Sequence, residues 1–431
     1  MASRPGGTPH RAAHEAGGRR RTVPVAVAVL AWLLAAAAVG VLIRQSLYLP
    51  TRFHELDLDV YRHGGTAILD GRNVYRVRSA AGLLFTYPPA AAVLAVPLAL
   101  ISFHAAELAW LPMIYVPLGV VTWLSFRPLL ARAREWAPAL LAVLIAGAAY
   151  LTPLRQEVHY GQIDIFLVAL CLVDCVTERP RWPRGALIGL ATAIKLVPGV
   201  FIVYLLITGR RKAAGVAAGS FAVVTGLTWL VSPRDSVAYW TRAIFDSQRL
   251  GQNTQAANQS LRGMILRLFV PTPAPTLVWL AVALVVAVGG FAAARALHRR
   301  GQEMAGIAIT GLLAALLSPV AWIHHLCWVV IVLGVIIGDG RDRRRVITAG
   351  LTAALFASVM PIWGKNLLEN RAAPIPVTRF MEATFGLAAL VLIGIVYAFR
   401  PTDADLSPPV TAPEPGASAA DGALLAGSRQ R

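Results

Sequence analysis

Apolar runs recur along almost the whole chain, separated either by short Arg-rich segments or by longer, mixed polar ones. The runs fall near 23–43, 106–126, 138–152, 163–178, 212–232, 276–296, 303–318, 324–338, 346–363 and 380–399. A straight helical crossing of a bilayer takes about 20 apolar residues, so several of these predict short crossings. The segment 185–208 reads in two ways. As one span it puts Arg210, Arg211 and Lys212 on the side opposite the basic cluster 179–184. As two short helices broken at Lys195-Leu196-Val197-Pro198 it keeps both clusters on one side, and proline disfavours helix at the residue before it. The stretch 88–103 follows Tyr87-Pro88-Pro89 and predicts an interfacial or re-entrant segment. The pattern predicts an all-α polytopic membrane protein with about twelve transmembrane helices, both termini inside.

Composition and charge narrow this further. The chain is 57% hydrophobic and 14% charged, whereas soluble domains carry about 45–50% apolar and about 25% charged residues. A cytosolic globular enzyme, a disordered chain and a fibrous one are excluded. Lys plus Arg number 40 against 22 acids, a net charge of +18. Such an excess signals either nucleic acid or the positive-inside bias of a membrane protein. Position decides for the bilayer and against nucleic acid, because the basic residues cluster between apolar runs. The loops 127–137, 178–184, 209–212, 295–302 and 339–345 hold 16 Lys/Arg in 37 residues, and 44–87, 153–162, 233–275 and 364–379 hold 15 in 113. The first set is expected on the cytoplasmic side and the second outside.

Residues 1–22, rich in Gly, Ala and Arg, read as a disordered basic cytoplasmic N-terminus, and 401–431, rich in Pro, Ala, Asp and Ser, as a disordered cytoplasmic tail. The run from Val23 is too long for a typical signal-peptide core and predicts a retained span. That leaves 23–400 as one membrane domain. Cys171, Cys175 and Cys327 all sit in apolar runs, with neither the count nor the spacing of a disulfide framework or a zinc site.

The polar motifs collect in the outer set of loops. His54-Glu55-Leu56-Asp57-Leu58-Asp59-Val60-Tyr61 and Phe85-Thr86-Tyr87-Pro88-Pro89 lie in 44–87, and His159-Tyr160-Gly161-Gln162 precedes Asp164. Lys195 stands at the tip of the broken hairpin, Asn258-Gln259-Ser260-Leu261-Arg262-Gly263 in 233–275, and Ser318-Pro319-Val320-Ala321-Trp322-Ile323-His324-His325 in the turn between two spans. Each has a plainer reading. Asp57 and Asp59 share a face in a strand but diverge in a helix, and a solvated acidic loop accounts for both. The adjacent His324 and His325 point apart on a helix, so the pair alone makes no metal site. Lys195 can snorkel to an interface, Asn258-Gln259-Ser260 matches the N-glycosylation sequon, and Tyr160, Trp240 and Trp322 fit an interfacial aromatic belt. A transporter or lipid flippase is the rival reading. It would bury ionisable groups at mid-depth, for which only Glu107, Asp174 and Glu382 qualify, and no clear internal repeat is present.

Taken in order, these motifs resemble the actinobacterial polyprenol-phosphate-mannose-dependent α-mannosyltransferases of glycosyltransferase family 87, the phosphatidylinositol-mannoside α-1,2 type in particular. The resemblance covers about residue 20 to 400 and implies a GT-C fold with its active site on the extracytoplasmic side of the cell membrane. The family's essential aspartate, in the pattern Asp-Leu-x-Val-Tyr, falls on Asp57. Asp59 is not carried over, and Asp164 stands where members often have Asn, leaving its role open. The resemblance implies a polyprenyl-phosphate-mannose donor and a mannosylated glycolipid or lipoglycan acceptor. No cofactor and no metal are expected. Outer loop 44–87 is then catalytic and 233–275 substrate-binding. The expected roles are Asp57 as the base and His324, His325, Lys195 and, more weakly, Arg262 around the donor phosphate. Asn258, Gln259, Gln162, Tyr61 and Tyr87 complete the donor-phosphate or sugar contacts. An arabinofuranosyl donor is the alternative within catalysis.

Overall fold

A computed structural model describes residues 10–48, 56–246, 249, 251–268 and 275–399. The tail 401–431 and the pair His54-Glu55 fall outside the described residues. Among those described the chain is all helical, with only two isolated β-bridges, Arg78–Leu84 and Asn258–Trp322. The first helix, His10–Tyr48, begins inside the stretch read as disordered.

Four helices are long and apolar enough to cross a bilayer: Pro24–Tyr48, Phe103–Ser125, Arg211–Val231 and Thr276–Arg299. Three bent helix pairs, Arg127–Ala149 with Thr152–Tyr160, Arg343–Ala357 with Met360–Glu369, and Ile375–Glu382 with Thr384–Ala398, bring the number to seven. Of the further short apolar helices, which the expected total included, Glu303–Leu317 and Ile323–Ile337 are packed inside the bundle, whereas Val197–Ile207 leaves Val203 and Leu206 exposed. Glu303–Leu317 is buried on nearly every side and apolar all round, as an interior helix must be. Pro24–Tyr48 and Thr276–Arg299, by contrast, leave most of their apolar surface exposed, the condition of a lipid-facing helix.

The segment 185–208 is the broken hairpin. Helix Ala186–Ile194 stops at Lys195, which is extended (φ −148°, ψ 128°), and a 3-10 turn over Val197–Gly199 leads into Val200–Ile207. Gly185 and Gly189 lie against the backbone of Ala213 and Ala217, so the helices starting at 186 and 211 begin at the same end. The basic clusters 179–184 and 210–212 are therefore on one side.

Other ties place the remaining basic loops there too. Arg210 bonds Glu303 at 2.7 Å, and Arg132 donates to the Asp339 carbonyl at 3.1 Å. Helices Asp164–Val176 and Val329–Ile337 end at these loops and begin at the opposite end, where Asp164, Lys195 and the His324-His325 turn meet. One end is basic and built of tight turns. The other carries the polar motifs.

All four expected outer loops hold helix, 233–275 in Pro233–Thr241 and Leu261–Leu268. The segment 153–162 is the helix Thr152–Tyr160, bent 72° from the preceding span. Within 44–87 lies the helix Leu56–Leu69, and 364–379 holds most of a helical hairpin, Met360–Glu369 and Ile375–Glu382. Each is short and polar on one face, and so escaped an apolar-run reading.

Candidate active site

The site begins with the helix Leu56–Leu69. Asp57 and Tyr61 are one turn apart and share a face. Asp59, two residues from Asp57, points elsewhere: its carboxylate accepts from the Ala80 amide at 2.8 Å and faces the His63 ring at 3.0 Å. The Asp-Leu-Asp tripeptide is thus split between two jobs. Asp59 pins the following loop and Asp57 faces the cluster.

Two glycines let the neighbours come close enough. Gly64 lies under the Phe85 ring, and a Cβ there would stand 2.6 Å from it, which brings Tyr87 alongside. Gly161 ends the helix Thr152–Tyr160 with left-handed backbone (φ 65°), a conformation that favours glycine. A Cβ on Gly161 would meet the Leu58 Cβ at 2.7 Å. The same turn is held by the Trp110 indole, which donates to the Gly161 carbonyl at 2.9 Å. It delivers Gln162 to the cluster and starts the next helix at Asp164.

Hydrogen bonds join these parts. The Tyr87 hydroxyl donates to Asp57 Oδ1 at 3.1 Å, and Tyr61 donates to Gln162 Oε1 at 3.0 Å and lies 3.1 Å from the Tyr87 hydroxyl. Burial raises the half-buried Asp57 carboxyl to about 6, against the opposing pull of Lys195 and the Tyr87 hydroxyl. Lys195 Nζ donates to both oxygens of Asp164, at 2.8 and 2.7 Å, lies 3.0 Å from His325 Nε2, and stands 5.4 Å from the Tyr87 ring centre. His324 Nε2 and His325 Nε2 are each 3.9 Å from Asp164 Oδ2.

Both nitrogens of the buried His324, Nδ1 of His325 and Oε1 of Glu157 have no hydrogen-bond partner. Buried polar groups are nearly always paired, so several orphans within one cluster mark a place prepared for something else. The donor atoms of Asp164, His324 and His325 lie within 4.8 Å of one another, close enough to suit a metal ion. Asp164 supplies the third donor, and Lys195 sits upon it.

Asp57, Tyr61, Tyr87, Gln162, Lys195, His324 and His325 are thus brought together, and Asp164, whose role the sequence left open, stands at their centre. Glu157, fully buried and bonded through Oε2 to the Ile165 amide at 3.3 Å, belongs beside them. It was missed because a glutamate inside an expected loop carries no signal.

Asn258 and Gln259 are placed differently from the expected sugar contacts, and their amides act as braces. Asn258 Oδ1 accepts from the amides of Ser260 and Ala321, and its Nδ2 donates to the Asn253 carbonyl. Gln259 joins the Glu382 carbonyl to the Gly386 amide through its side chain, while its own amide donates to the Ala321 carbonyl at 2.6 Å. Both residues are fully buried, and together they support the turn that carries the histidines. Arg262 lies over the Trp279 ring at 5.5 Å. Its neighbour Arg267, unnoticed in the sequence, is the buried arginine there, donating to the Gln255 and Asn258 carbonyls at 2.8 Å. Glu107, Asp174 and Glu382 stand near the ends of their helices.

Comparisons with known proteins bear on the family. The family model for glycosyltransferase family 87 matches residues 85–319. The polyprenol-phosphate-mannose-dependent alpha-(1-2)-phosphatidylinositol mannoside mannosyltransferase of Mycobacterium tuberculosis is 36% identical, over 75% of this chain and 79% of its own length. Its namesake from Mycolicibacterium smegmatis is 34% identical, over 80% and 85%. The M. tuberculosis polyprenol-phosphate-mannose-dependent alpha-(1-2)-phosphatidylinositol pentamannoside mannosyltransferase is 31% identical, over 76% and 77%. Among solved structures, ArnT from Cupriavidus metallidurans bound to undecaprenyl phosphate aligns at 16% identity and a TM-score of 0.37, covering 88% of this chain and 77% of ArnT. The sequence relatives and the family model agree, and the chain belongs to glycosyltransferase family 87.

Proposed function

We propose that the protein transfers mannose from a polyprenyl-phosphate-mannose donor to a hydroxyl of a phosphatidylinositol mannoside. The transfer takes place on the extracytoplasmic face of the cell membrane, with inversion and an α-1,2 linkage. The relatives' activities support donor, acceptor class and linkage. The observation that carries the site is the Asp57–Tyr87–Gln162–Lys195 cluster, built from four separate segments and flanked by His325 and by the unpartnered ring of His324.

Asp57 serves as general base, removing the proton from the acceptor hydroxyl as that oxygen attacks the anomeric carbon. The bond from that carbon to the phosphate oxygen breaks, and the electron pair leaves with the polyprenyl phosphate. A base near pKa 6 is ionised at neutral pH yet still accepts a proton readily. The departing phosphate gains charge. The Lys195 ammonium stabilises it, with His324 and His325 as further donors from a water-poor site where such contacts count for more. Gln162, Tyr61 and Tyr87 hold Asp57 and line the sugar side.

The segregation of basic loops to the end opposite the cluster supports outward placement of the site. A polyprenyl donor suits that side, since its tail stays in the bilayer and presents the sugar phosphate at the interface. The test of the chemistry is a detergent assay with polyprenyl phosphomannose and a panel of mannoside acceptors. Transfer to phosphatidylinositol mannosides is expected, and transfer from an arabinofuranosyl donor instead would refute the proposal. For sidedness, Arg72→Cys should label with an impermeant maleimide in intact cells and Arg341→Cys only after permeabilisation. Both positions are exposed, and the native cysteines are buried. The reverse pattern would overturn the orientation.

A further inference from the structure

Two imidazoles and a carboxylate form a donor set that tetrahedral transition-metal ions favour. Here the set is Asp164, His324 and His325. Lys195 Nζ touches two of the three residues, at 2.7–2.8 Å from the Asp164 oxygens and 3.0 Å from His325 Nε2. The third, His324, is buried with both ring nitrogens unpartnered, and its Nε2 is 3.9 Å from the same Asp164 oxygen.

We propose that Lys195 is the resident cation of a latent divalent-metal site. Its ammonium holds the position that a zinc-like ion would take, and removal of the amine opens that position to the metal. Asp164 and His325 lie 2.7–3.0 Å from the ammonium, against about 2.0–2.1 Å for bonds to zinc, so these two donors would draw in on the ion. His324, whose ring nitrogens are unpartnered, would supply the third bond. A lysine suits a lipid phosphate because it carries one positive charge without ligand exchange, and its four-carbon stem lets the head move with the leaving group. The native protein accordingly needs no added metal, because its own side chain carries the charge.

This rests on the cluster rather than on the sugar chemistry, and the test reads cobalt directly. Purified Lys195→Ala, titrated with Co(II) in detergent, should show one equivalent of tetrahedral ligand-field absorption, displaced by Zn(II) and lost when His324→Ala is added. The wild-type protein should bind cobalt at least about 100-fold more weakly, since a like charge blocks the position. Equal cobalt binding by the wild type, or a folded Lys195→Ala without the absorption, overturns the proposal. Lys195→Gln, which keeps hydrogen bonds to Asp164 without the charge, guards against a misfolded alanine variant and should also gain cobalt. Failure to recover either variant with metal present throughout also counts against it, because the ion is proposed to supply the missing charge. Should Lys195→Ala bind cobalt as expected while the wild-type protein transfers no mannose, the functional reading falls and the metal site stands.

Discussion

The two ends of the bundle use charge in opposite ways. At the basic end the arginines close helix termini. Arg184 donates to the carbonyls of Thr177 and Glu178, Arg345 to those of Ile336 and Val335, and Arg132 to that of Asp339. Asp174 does the complementary work, accepting from the amides of Gly185 and Ile188 at the start of the next helix. These are answers to the unpaired groups every helix leaves at its ends. At the other end charges face one another: Lys195 lies among Asp164, Asp57 and two imidazoles, and several of the buried atoms have no partner. Charge that completes a helix is scaffold. Charge left unsatisfied at some cost in stability marks chemistry.

The sharpest way to break that contrast is to remove the base. Asp57→Asn keeps the shape and the contact to Tyr87, so the protein should remain folded with an unchanged melting temperature. Transfer should fall about 10²–10⁴-fold, the usual contribution of a placed general base. The wild type should also show an acid limb. Because the ionised carboxylate is the active form, kcat/KM should rise with pH through about 6 and level off above it. Wild-type rates in Asp57→Asn would place the chemistry elsewhere.

A second test separates stability from catalysis at the ion pair. Asp164→Ala strands the buried Lys195 ammonium, and breaking a buried pair from one side costs about 3–5 kcal/mol. Asp164→Asn keeps an acceptor for Nζ and should lose much less, read by thermal unfolding. Equal losses in the two variants would show that the pair is packing alone.

Much of this was legible in the sequence, unevenly. The apolar runs gave the long spans, and the basic density of the short loops gave the end at which each helix turns. The break at Lys195–Pro198 followed from proline stereochemistry together with that charge rule. The motifs that resemble family 87 gave the members of the cluster. What they lacked was geometry. Whether Asp57 and Asp59 share a face depends on helix or strand, and the helix at 56–69 is too short and polar on one side to announce itself by hydropathy. Asn258 and Gln259 looked like sugar ligands because amides often are, yet their side chains bond to the protein's own groups, tying the histidine turn at Ala321 to the segment at Glu382 and Gly386. Nothing in a linear pattern distinguishes an amide that holds substrate from one that holds the loop beside it. Glu157 and Asp164 gained their place only when the Gly161 turn folded them against Lys195.

Gly161 offers an intermediate perturbation. Gly161→Ala imposes a left-handed backbone on a residue with a Cβ and drives that Cβ into Leu58, at 2.7 Å. A destabilisation of about 1–3 kcal/mol is expected, the range for overpacking, with reduced kcat because relief of the clash moves the helix carrying Asp57. Reduced stability at full kcat would mean that the turn and the base are less tightly joined than the contact implies.

The smallest effect belongs to the basic end and completes the comparison. Arg345 is partly buried, and its guanidinium closes the helix ending at Ile337 through bonds of 2.8 and 2.7 Å to consecutive carbonyls. Arg345→Ala removes both bonds but leaves the carbonyls near the basic surface, where water replaces the arginine. The loss should therefore be about 0.5–1.5 kcal/mol, as for a typical hydrogen bond, seen as a small fall in melting temperature. Mannose transfer and its pH profile should not change, since no residue of the cluster touches this turn. A drop in kcat without a drop in stability would mean that the two ends are coupled through the helix Val329–Ile337, which begins beside His325 and ends at this arginine.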